Sequence, residues 1–548
     1  TPEIVVVEEI KTETVVAPQS VSSAIHIKPL WSGLIAVVSI GLMVAAANKP
    51  PRIDWSPYTY QIDRTQAKTS AEKILQEKNI ALEGEWHSTV TTYTSWSQPL
   101  EFVWRESGQE KVHGLIGKYL DTPFWVITWR KFDGPVEERS EQWQAWLYPD
   151  GRLHELVHTL PEGRAGNKLT REQAIATAQD WIRTLKWADP ALLEEKSVEE
   201  IQRPARSDWV LTYLDKPAYD HNKASAAIVI KLAGDEVVSY VCTIDIPEEW
   251  KRAESEESSR QQPYKIISLI ALFVLIGCAA ICFFRKQTAH RFSIQAAWPW
   301  VAIGATAQLV VSLLWIDPGL GGLQTTMGWW MQIGMLLVGF AIATSVQAVV
   351  IFLAAQAIHG QRPRVDSTLN SDLLLGAIIA LGLSGYRCLL DLLLPSAWAP
   401  APYSADWATY LPWLTTILNG FKGVFPFLLS IILALGLLRF ITKPWKFVLV
   451  SLVGLVWLFC SSLASREFPA MVGQQFLTLL SIGLAMLFIR RQQLGVVIAM
   501  FGFLIALRQF SVMHAIYPGA WWHGLLSVAV CTLLVYGLLW HWYRRGLE

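Results

Sequence analysis

The sequence predicts a membrane protein whose α-helical core has about ten transmembrane helices, with a duplicated α+β domain inserted between helix 1 and helix 2. The chain of 548 residues is 52% hydrophobic and only 17% charged, whereas soluble proteins carry about a quarter charged residues. Apolar runs long enough to cross about 30 Å of hydrocarbon recur along it. Its polar residues are concentrated in one block, 50–263, which holds 26 basic and 35 acidic side chains.

One apolar run precedes this polar block and nine follow it. Residues 1–29 are predicted to be a disordered cytoplasmic tail, and 30–48 an anchor helix that lies too deep in the chain for a cleaved signal peptide. The extracytoplasmic domain is predicted at 49–264 and the nine-helix membrane domain at 265–545. The nine predicted spans are 266–284, 294–316, 329–358, 373–394, 410–438, 447–464, 471–489, 494–513 and 521–542.

Lysine and arginine in the short loops set the predicted orientation. Alternate loops carry twelve of them: Arg285, Lys286, Arg291, Arg362, Arg364, Arg439, Lys443, Lys446, Arg490, Arg491, Arg544 and Arg545. The remaining short loops carry Arg466 alone. Because cytoplasmic loops hold the excess of basic residues, both termini are predicted to be cytoplasmic and residues 50–263 to lie outside. The polar block has no N-x-S/T sequon, which favours a bacterial inner membrane.

Two helices of the polar block begin alike. Asp63 and Thr170 are each followed three residues later by Gln, which is a capping-box pattern, and the apolar positions then match at an offset of 107 residues. Predicted strands follow each helix, at 124–130, 141–148 and 152–160 in the first copy and at 209–214, 226–232 and 237–244 in the second. The block is therefore predicted to be a duplicated α+β module. Its second copy resembles the PepSY-type domains of bacterial envelope proteins, a resemblance that implies an interaction role.

One motif in the first copy matches a zinc-protease signature. His154, Glu155 and His158 form H-E-x-x-H, which binds catalytic zinc when both histidines share a helix face and the Glu activates the metal-bound water. A Pro-Asp-Gly turn directly before the motif and Pro161 after it favour a strand instead. On a strand Glu155 points away from the face that carries the two histidines. We therefore expect a hairpin strand with exposed histidines and no zinc.

Four short sequence segments of the membrane domain resemble those of a known family. They are Ala-Asp-Trp-Ala-Thr-Tyr-Leu-Pro-Trp-Leu at 405–414, Asn-Gly-Phe at 419–421, Glu-Phe-Pro-Ala at 467–470, and 494–501. With the layout of the chain, they resemble a subgroup of the CPBP family (CAAX-protease and bacteriocin-processing proteins). These proteins are intramembrane glutamic or metal-assisted endopeptidases. In that subgroup an anchor helix and a duplicated outer domain precede the multi-span core.

The resemblance implies three catalytic motifs, and this chain departs from each of them. The positions at which the family keeps Glu, Glu, Arg, His and His are occupied by Gly423, Val424, Leu428, Ser465 and Phe501. A shifted alignment does not restore the motifs, because no Glu lies in 410–438 and no His lies between His359 and His514. Hydrolysis needs a general base and a charge-stabilising partner. The chain is therefore expected to be a non-catalytic member, a pseudo-protease.

Few polar side chains remain within or near the ends of the predicted spans. A charged residue inside a membrane span is by default a candidate functional residue. These polar side chains are Lys422, Asn419, Arg387, Asp391, Arg508 and His514. Arg387 and Asp391 are spaced i, i+4 and can pair on one helix. Arg508 and His514 lie towards the predicted outer end of their span and are expected to reach the interface. For Lys422 two interpretations remain, a structural partner of backbone carbonyls or a charge that contacts a ligand or a partner protein.

Three functions remain as hypotheses. The first is a non-enzymatic scaffold or accessory subunit that binds partners in the membrane and the periplasm. The second is an endopeptidase with displaced groups at Glu467, His514 and His523, which could also form a metal site. The third is a transporter, although the core shows no repeat and no mid-membrane acid. No P-loop, Rossmann fingerprint or haem motif is present, so no nucleotide, nucleic acid, cofactor or metal is expected.

Overall fold

The computed structural model describes residues 25, 27–49, 53–94, 97–287, 294–359, 361, 364, 366–394, 405–422, 424–465 and 467–547, so most of the predicted tail lies outside it. The chain is mostly helical and contains two small antiparallel sheets. Within the described residues, nine helices are long and apolar enough to span a membrane. The first of them is α1 (Pro29–Ala47), the predicted anchor. Helices of this length and composition are those of a membrane protein.

The first module of the sheet domain (residues 53–247) contains a capped helix and a four-stranded sheet. Helix α2 (Arg64–Glu77) begins after Asp63, whose side chain accepts from the Gln66 N–H while Gln66 bonds back to Asp63, so the predicted capping box is confirmed. The strands pair in the order β1-β2-β3-β4, with bounds β1 (His87–Tyr93), β2 (Phe124–Arg130), β3 (Gln142–Leu147) and β4 (Leu153–Thr159). Strand β1 and the helix α3 (Gln98–Leu115), which is kinked at Gly108, were not predicted.

The second module repeats this order of helix and sheet. Helix α4 (Arg171–Arg183) begins after Thr170 with the predicted capping box to Gln173, and it buries Ala174, Ala178 and Ile182 on one face. The strands pair in the order β5-β6-β7-β8, with bounds β5 (Glu194–Gln202), β6 (Ser207–His221), β7 (Ala224–Ala233) and β8 (Glu236–Asp245). Strand β5 was not predicted. It is a largely exposed edge strand that is rich in Glu, a residue depleted in strands.

The sheet domain continues directly into the membrane helices. Helix α5 (Glu248–Gln287) runs for 40 residues through Pro263, and the predicted span 266–284 is its second half. The domain boundary predicted at 264 therefore lies within a continuous helix. In addition, Ile516, Tyr517 and Ala520 from the connection between the last two predicted spans belong to the hydrophobic core of the sheet domain.

The remaining helices follow the predicted spans. Their bounds are α6 (Ile294–Leu314), α7 (Ile316–Leu320), α8 (Trp329–His359), α9 (Leu369–Leu393), α10 (Pro412–Lys422), α11 (Val424–Phe440), α12 (Pro444–Leu463), α13 (Phe468–Arg490), α14 (Leu494–Arg508) and α15 (Ala520–Leu547). Short 3-10 helices, Ala405–Ala408 and Gln509–His514, precede α10 and α15. The predicted span 410–438 contains α10 and α11, which are described on either side of Gly423, a residue outside the described ones.

Helix α14 lies at the centre of the helical domain. Its residues from Leu494 through Gly502 are all buried. Helix α9 packs closely against it at Gly376, because a Cβ atom built there would lie only 2.3 Å from the Cβ atom of Ala499. Small residues at such a crossing let two helix backbones approach each other.

Contacts between the connections form two groups at opposite ends of the helices. At the sheet-domain end, the Tyr60 N–H donates to the Ile516 carbonyl at 3.0 Å. At the other end, Arg364 Nη1 donates to the Arg491 carbonyl at 3.1 Å. This grouping agrees with the predicted alternation of basic and non-basic loops, and the compartment on each side stays a prediction.

Candidate functional site

The positions that correspond to the family's catalytic motifs are only partly brought together. Leu428 on α11 and Phe501 on α14 belong to one hydrophobic core, in which the Phe427 and Phe501 rings are 5.3 Å apart. Ser465 follows the end of α12, outside this core, and its hydroxyl accepts from the Glu467 N–H at 3.2 Å.

Three further positions near the α10–α11 junction can be located only in part. Gly423 lies outside the described residues, and Lys422 and Val424 are described in their backbone alone. Lys422 is the last described residue of α10 and Val424 is the first of α11.

A buried polar cluster lies beside α10 instead. Asp406 in the preceding 3-10 helix is only 5% exposed. Asn419 Nδ2 donates to Asp406 Oδ1 at 2.8 Å, and Thr416 Oγ1 donates to Asp406 Oδ2 at 3.3 Å. Asn419 was predicted from the sequence as a polar candidate, whereas Asp406, which precedes the predicted span, was not. The spacing of Thr415, Thr416 and Asn419, which places them on one face of α10, was the signal that could have indicated a buried polar surface.

Helix α15 forms the opposite wall of this cluster. His523, Ser527 and Cys531 follow one another at i, i+4 and i+8, which places them on one helix face. A Cβ atom built on Gly420 would lie 3.1 Å from both Ser527 Oγ and Cys531 Sγ. The glycine therefore allows α10 and α15 to approach closely.

In this region, Asn419 Oδ1 and His523 Nδ1 are buried and have no hydrogen-bond partner among the residues that the structure describes. Because native proteins leave few buried polar atoms unpaired, each such atom calls for an explanation, such as a bound group or water. We refer to Asp406, Thr416, Asn419, His523 and Ser527 as the Asp406 cluster.

The sheet domain covers the Asp406 cluster directly. Trp407 Nε1 donates to the Ile62 carbonyl at 3.0 Å, and the Trp407 ring stacks on the Tyr517 ring with 5.1 Å between centroids. Tyr517 also lies beside Thr416 and Asp406. Residues of the sheet domain and of the helical domain therefore pack together at the position of the buried carboxylate.

The other polar candidates are exposed. Arg387 and Asp391 lie on one helix, α9, but among the described residues they do not form an ion pair within 4.0 Å. Lys49 Nζ instead donates to the backbone carbonyl of Asp391 at 3.1 Å. Arg508 and His514 are exposed at the end of α14 and in the 3-10 helix that follows. An exposed position at a helix end is what we expected of these two side chains.

The three residues of the endopeptidase hypothesis do not form a group of potential metal ligands within the described residues. Glu467, His514 and His523 are not among the groups of potential metal ligands found in the described part of the chain. The one group found there, whose ligand atoms lie within 4.8 Å of one another, consists of Glu85, His87 and Asp133. These residues belong to the sheet domain.

The H-E-x-x-H motif lies on strand β4, as predicted. The expected exposure of its histidines is wrong. His158 is only 7% exposed, stacks on Trp143 with 3.7 Å between ring centroids, and hydrogen-bonds through Nδ1 to Glu236 Oε1 at 2.8 Å. The ring of His154 stacks on Phe124 at 4.6 Å. These histidines are covered because the second module packs against the first along β4, a contact that no local pattern indicates.

Glu155 joins the two modules at the β4–β8 seam, the contact between strands β4 and β8. Its Oε1 accepts from the Tyr240 N–H at 2.8 Å and from Ser239 Oγ at 3.0 Å. Burial raises the pKa of Glu155 to about 6, against the opposing effect of these two donors. Burial likewise lowers the pKa of the neighbouring His154 to about 4. The side chains of the motif therefore stabilise the contact between the two modules. Within the described residues, its two histidines do not belong to a group of potential metal ligands.

The chain is, by its fold, a mostly helical membrane protein with a domain of two antiparallel sheets. Comparison with protein-family models, with curated proteins and with solved structures finds no significant match.

Proposed function

We propose that this protein is a non-enzymatic membrane protein, a pseudo-protease of the CPBP type, which acts as a scaffold or accessory subunit. It holds one partner through its membrane helices and another through the sheet domain. The contact between Phe501 and Phe427 carries the proposal. Where the resemblance places a catalytic His, this chain has an aromatic side chain in an apolar core, and that side chain cannot transfer a proton.

The packing of the sheet domain on the helices supports a role in which both domains bind partner proteins. Trp407 bonds to Ile62 of the sheet domain and the adjacent Asp406 bonds to Asn419 of α10, so a partner bound to the sheet domain would act on the contact that covers the α10 polar face. Lys422 ends α10 and is our candidate for contact with the membrane partner.

A first experiment tests catalysis. The purified full chain is incubated with fluorogenic membrane-peptide substrates, and we expect no cleavage above the protein-free blank. Loss of one general base typically lowers a rate about 10²–10⁴-fold, and here all the expected bases are replaced. Cleavage that disappears in Glu467→Gln or His514→Ala would instead establish the displaced-site endopeptidase.

A second experiment tests docking. Proteins that co-purify with the chain after mild detergent extraction are compared for the wild type, Lys422→Ala and the control Lys443→Ala, which removes an exposed lysine elsewhere. We expect Lys422→Ala to lose the membrane partner and the control to keep it. Equal recovery in all three chains would remove Lys422 from the proposal.

The buried carboxylate of Asp406, with the unpartnered Asn419 Oδ1 and His523 Nδ1 near it among the described residues, favours transport as a second candidate function. Polar groups buried inside helical membrane proteins mark substrate and ion pathways. In that case, Asp406→Asn would abolish the flux of a coupled cation in reconstituted vesicles, measured with a pH- or sodium-sensitive dye. A scaffold would show no such flux in the wild type.

We further propose that the protein lies in a bacterial inner membrane with cytoplasmic termini and a periplasmic sheet domain. Cysteine substitutions at the exposed Lys73 and Lys443 test this orientation. A membrane-impermeant maleimide should label Lys73→Cys in intact cells with a permeabilised outer membrane. It should label Lys443→Cys only after the inner membrane is opened, and the reverse result would invert the topology.

A further inference from the structure

The start of β1 and the end of β2 bring three metal-binding side chains together. Strands β1 and β2 are antiparallel, and His87 lies opposite Arg130 in their register. Glu85 comes two residues before His87, and Asp133 comes three residues after Arg130. Antiparallel pairing therefore places both acids at the same end of the sheet as the His, and one ligand atom from each lies within 4.8 Å of the others.

The ring of His87 is held in place by aromatic neighbours. It stacks on Trp329, the first residue of α8, with 4.0 Å between ring centroids and an interplanar angle of 19°. Phe132 meets it edge to face at 5.5 Å. In this position His87 Nε2 lies 3.6 Å from Glu85 Oε1. The least adjustable of the three ligands is therefore already oriented towards a carboxylate.

The two carboxylates can complete a coordination shell with little movement. Two ligands of one zinc ion lie at most about 4.2 Å apart, because each is about 2.1 Å from the metal. Closing the group from 4.8 Å requires a shift of roughly an ångström, and the exposed Glu85 and Asp133 can rotate freely enough to supply it. One imidazole and two carboxylates also balance the charge of a divalent ion.

We propose that Glu85, His87 and Asp133 form a binding site for a divalent transition metal of the Zn²⁺ class, with water completing the coordination. Imidazole with carboxylate suits zinc and its neighbours better than calcium or magnesium, which prefer oxygen ligands alone. The site lies where the sheet domain meets the helical domain, since Arg130 Nη1 donates to the Gly321 carbonyl at 2.8 Å. A bound ion would fix the end of the sheet on which this contact depends. The site is independent of the docking function proposed above.

The test uses the purified full chain in detergent, stripped with a chelator and freed of any affinity tag. Co²⁺ is titrated as the spectroscopic probe, and Zn²⁺ is then added as competitor. We expect one equivalent of Co²⁺ with visible d–d absorption, which Zn²⁺ displaces. Asp133→Asn, an exposed substitution that leaves the packing intact, and His87→Gln should each weaken binding at least about 10-fold, the lower range seen even for outer-shell partners.

Matched controls locate the site. Glu83→Gln removes a neighbouring acid, and His154→Ala removes a His of the H-E-x-x-H motif, so both should bind as the wild type does. Should His87→Gln fail to fold without its ring contact, Asp133→Asn decides the matter. Substoichiometric Co²⁺ in the wild type, unchanged affinity in Asp133→Asn, or equal loss in the controls would each overturn the proposal.

Discussion

Two buried polar regions of this protein differ in how completely their hydrogen bonds are made. At the β4–β8 seam, Glu155 accepts two hydrogen bonds and His158 is bonded to Glu236. In the Asp406 cluster, Asn419 Oδ1 and His523 Nδ1 are buried without a partner among the described residues. A fully paired polar network stabilises one structure, whereas unpaired buried atoms cost free energy unless something else binds them. The difference indicates a structural role for the seam, and it leaves the Asp406 cluster with unpaired atoms that a bound group or water would satisfy.

The largest expected effect is at the seam. His158→Phe keeps a ring to stack on Trp143 but removes the hydrogen bonds to Glu236 and Glu141. We expect it to destabilise the chain by about 1.5–3 kcal/mol, the range for hydrogen bonds to charged groups, with the lower end favoured because Glu236 is partly exposed. Thermal unfolding of the purified full chain, followed by tryptophan fluorescence, measures the change. An unchanged midpoint would show that the hydrogen bonds of the seam do not stabilise the chain.

The second prediction concerns pH and is smaller because two groups act in opposite directions. His154 has a pKa of about 4 in the folded chain against an ordinary value of 6.5. The folded chain therefore loses stability as the pH falls from 6.5 towards 4. Glu155, with a folded pKa of about 6 against 4.5, contributes stability below pH 4.5 that is lost as the pH rises through 6. Between pH 4.5 and 6 the two effects therefore partly cancel.

The variant Glu155→Gln separates these two effects. It keeps an acceptor for the Tyr240 N–H and removes the titrating carboxyl group. Its unfolding midpoint should rise more steeply between pH 4.5 and 6 than that of the wild type, because only the His154 contribution remains. Parallel profiles would contradict the assignment of the raised pKa to Glu155.

The smallest effect is expected in the Asp406 cluster, where we expect no loss of stability. His523→Phe replaces a buried ring whose Nδ1 atom has no partner with an apolar ring of similar shape. Because removal of an unpaired buried polar atom costs little, we expect a midpoint equal to that of the wild type or slightly higher. A loss comparable to that of His158→Phe would show that His523 is hydrogen-bonded in the protein and would remove the contrast between the two regions.

The sequence predicted the local parts of this fold well. Strand β2 was predicted with its observed bounds, and both capping boxes at Asp63 and Thr170 were confirmed. These features depend on a few neighbouring residues, so a short pattern contains the information needed. Strand β5 was missed because its residues do not favour a strand by themselves, and it forms only by pairing with β6.

The candidate sites were predicted less well, for a related reason. Asn419 was found because a polar residue in an apolar run is visible in the sequence, whereas Asp406 follows no apolar pattern and is buried only when Trp407 packs against the sheet domain. The group Glu85, His87 and Asp133 was likewise missed, since Asp133 is far from the other two in the chain and joins them only when β1 pairs with β2.

Hydrophobicity and charge by themselves determined that this chain has long apolar helices and one polar block, because transfer into lipid or water depends on each segment's own composition. The tertiary structure alone decided which polar side chains are buried and which of them meet. Burial of Asp406, His158 and Glu155 arises from contacts between elements distant in sequence. Such contacts are set by the packing of whole surfaces, and no local pattern of residues encodes them.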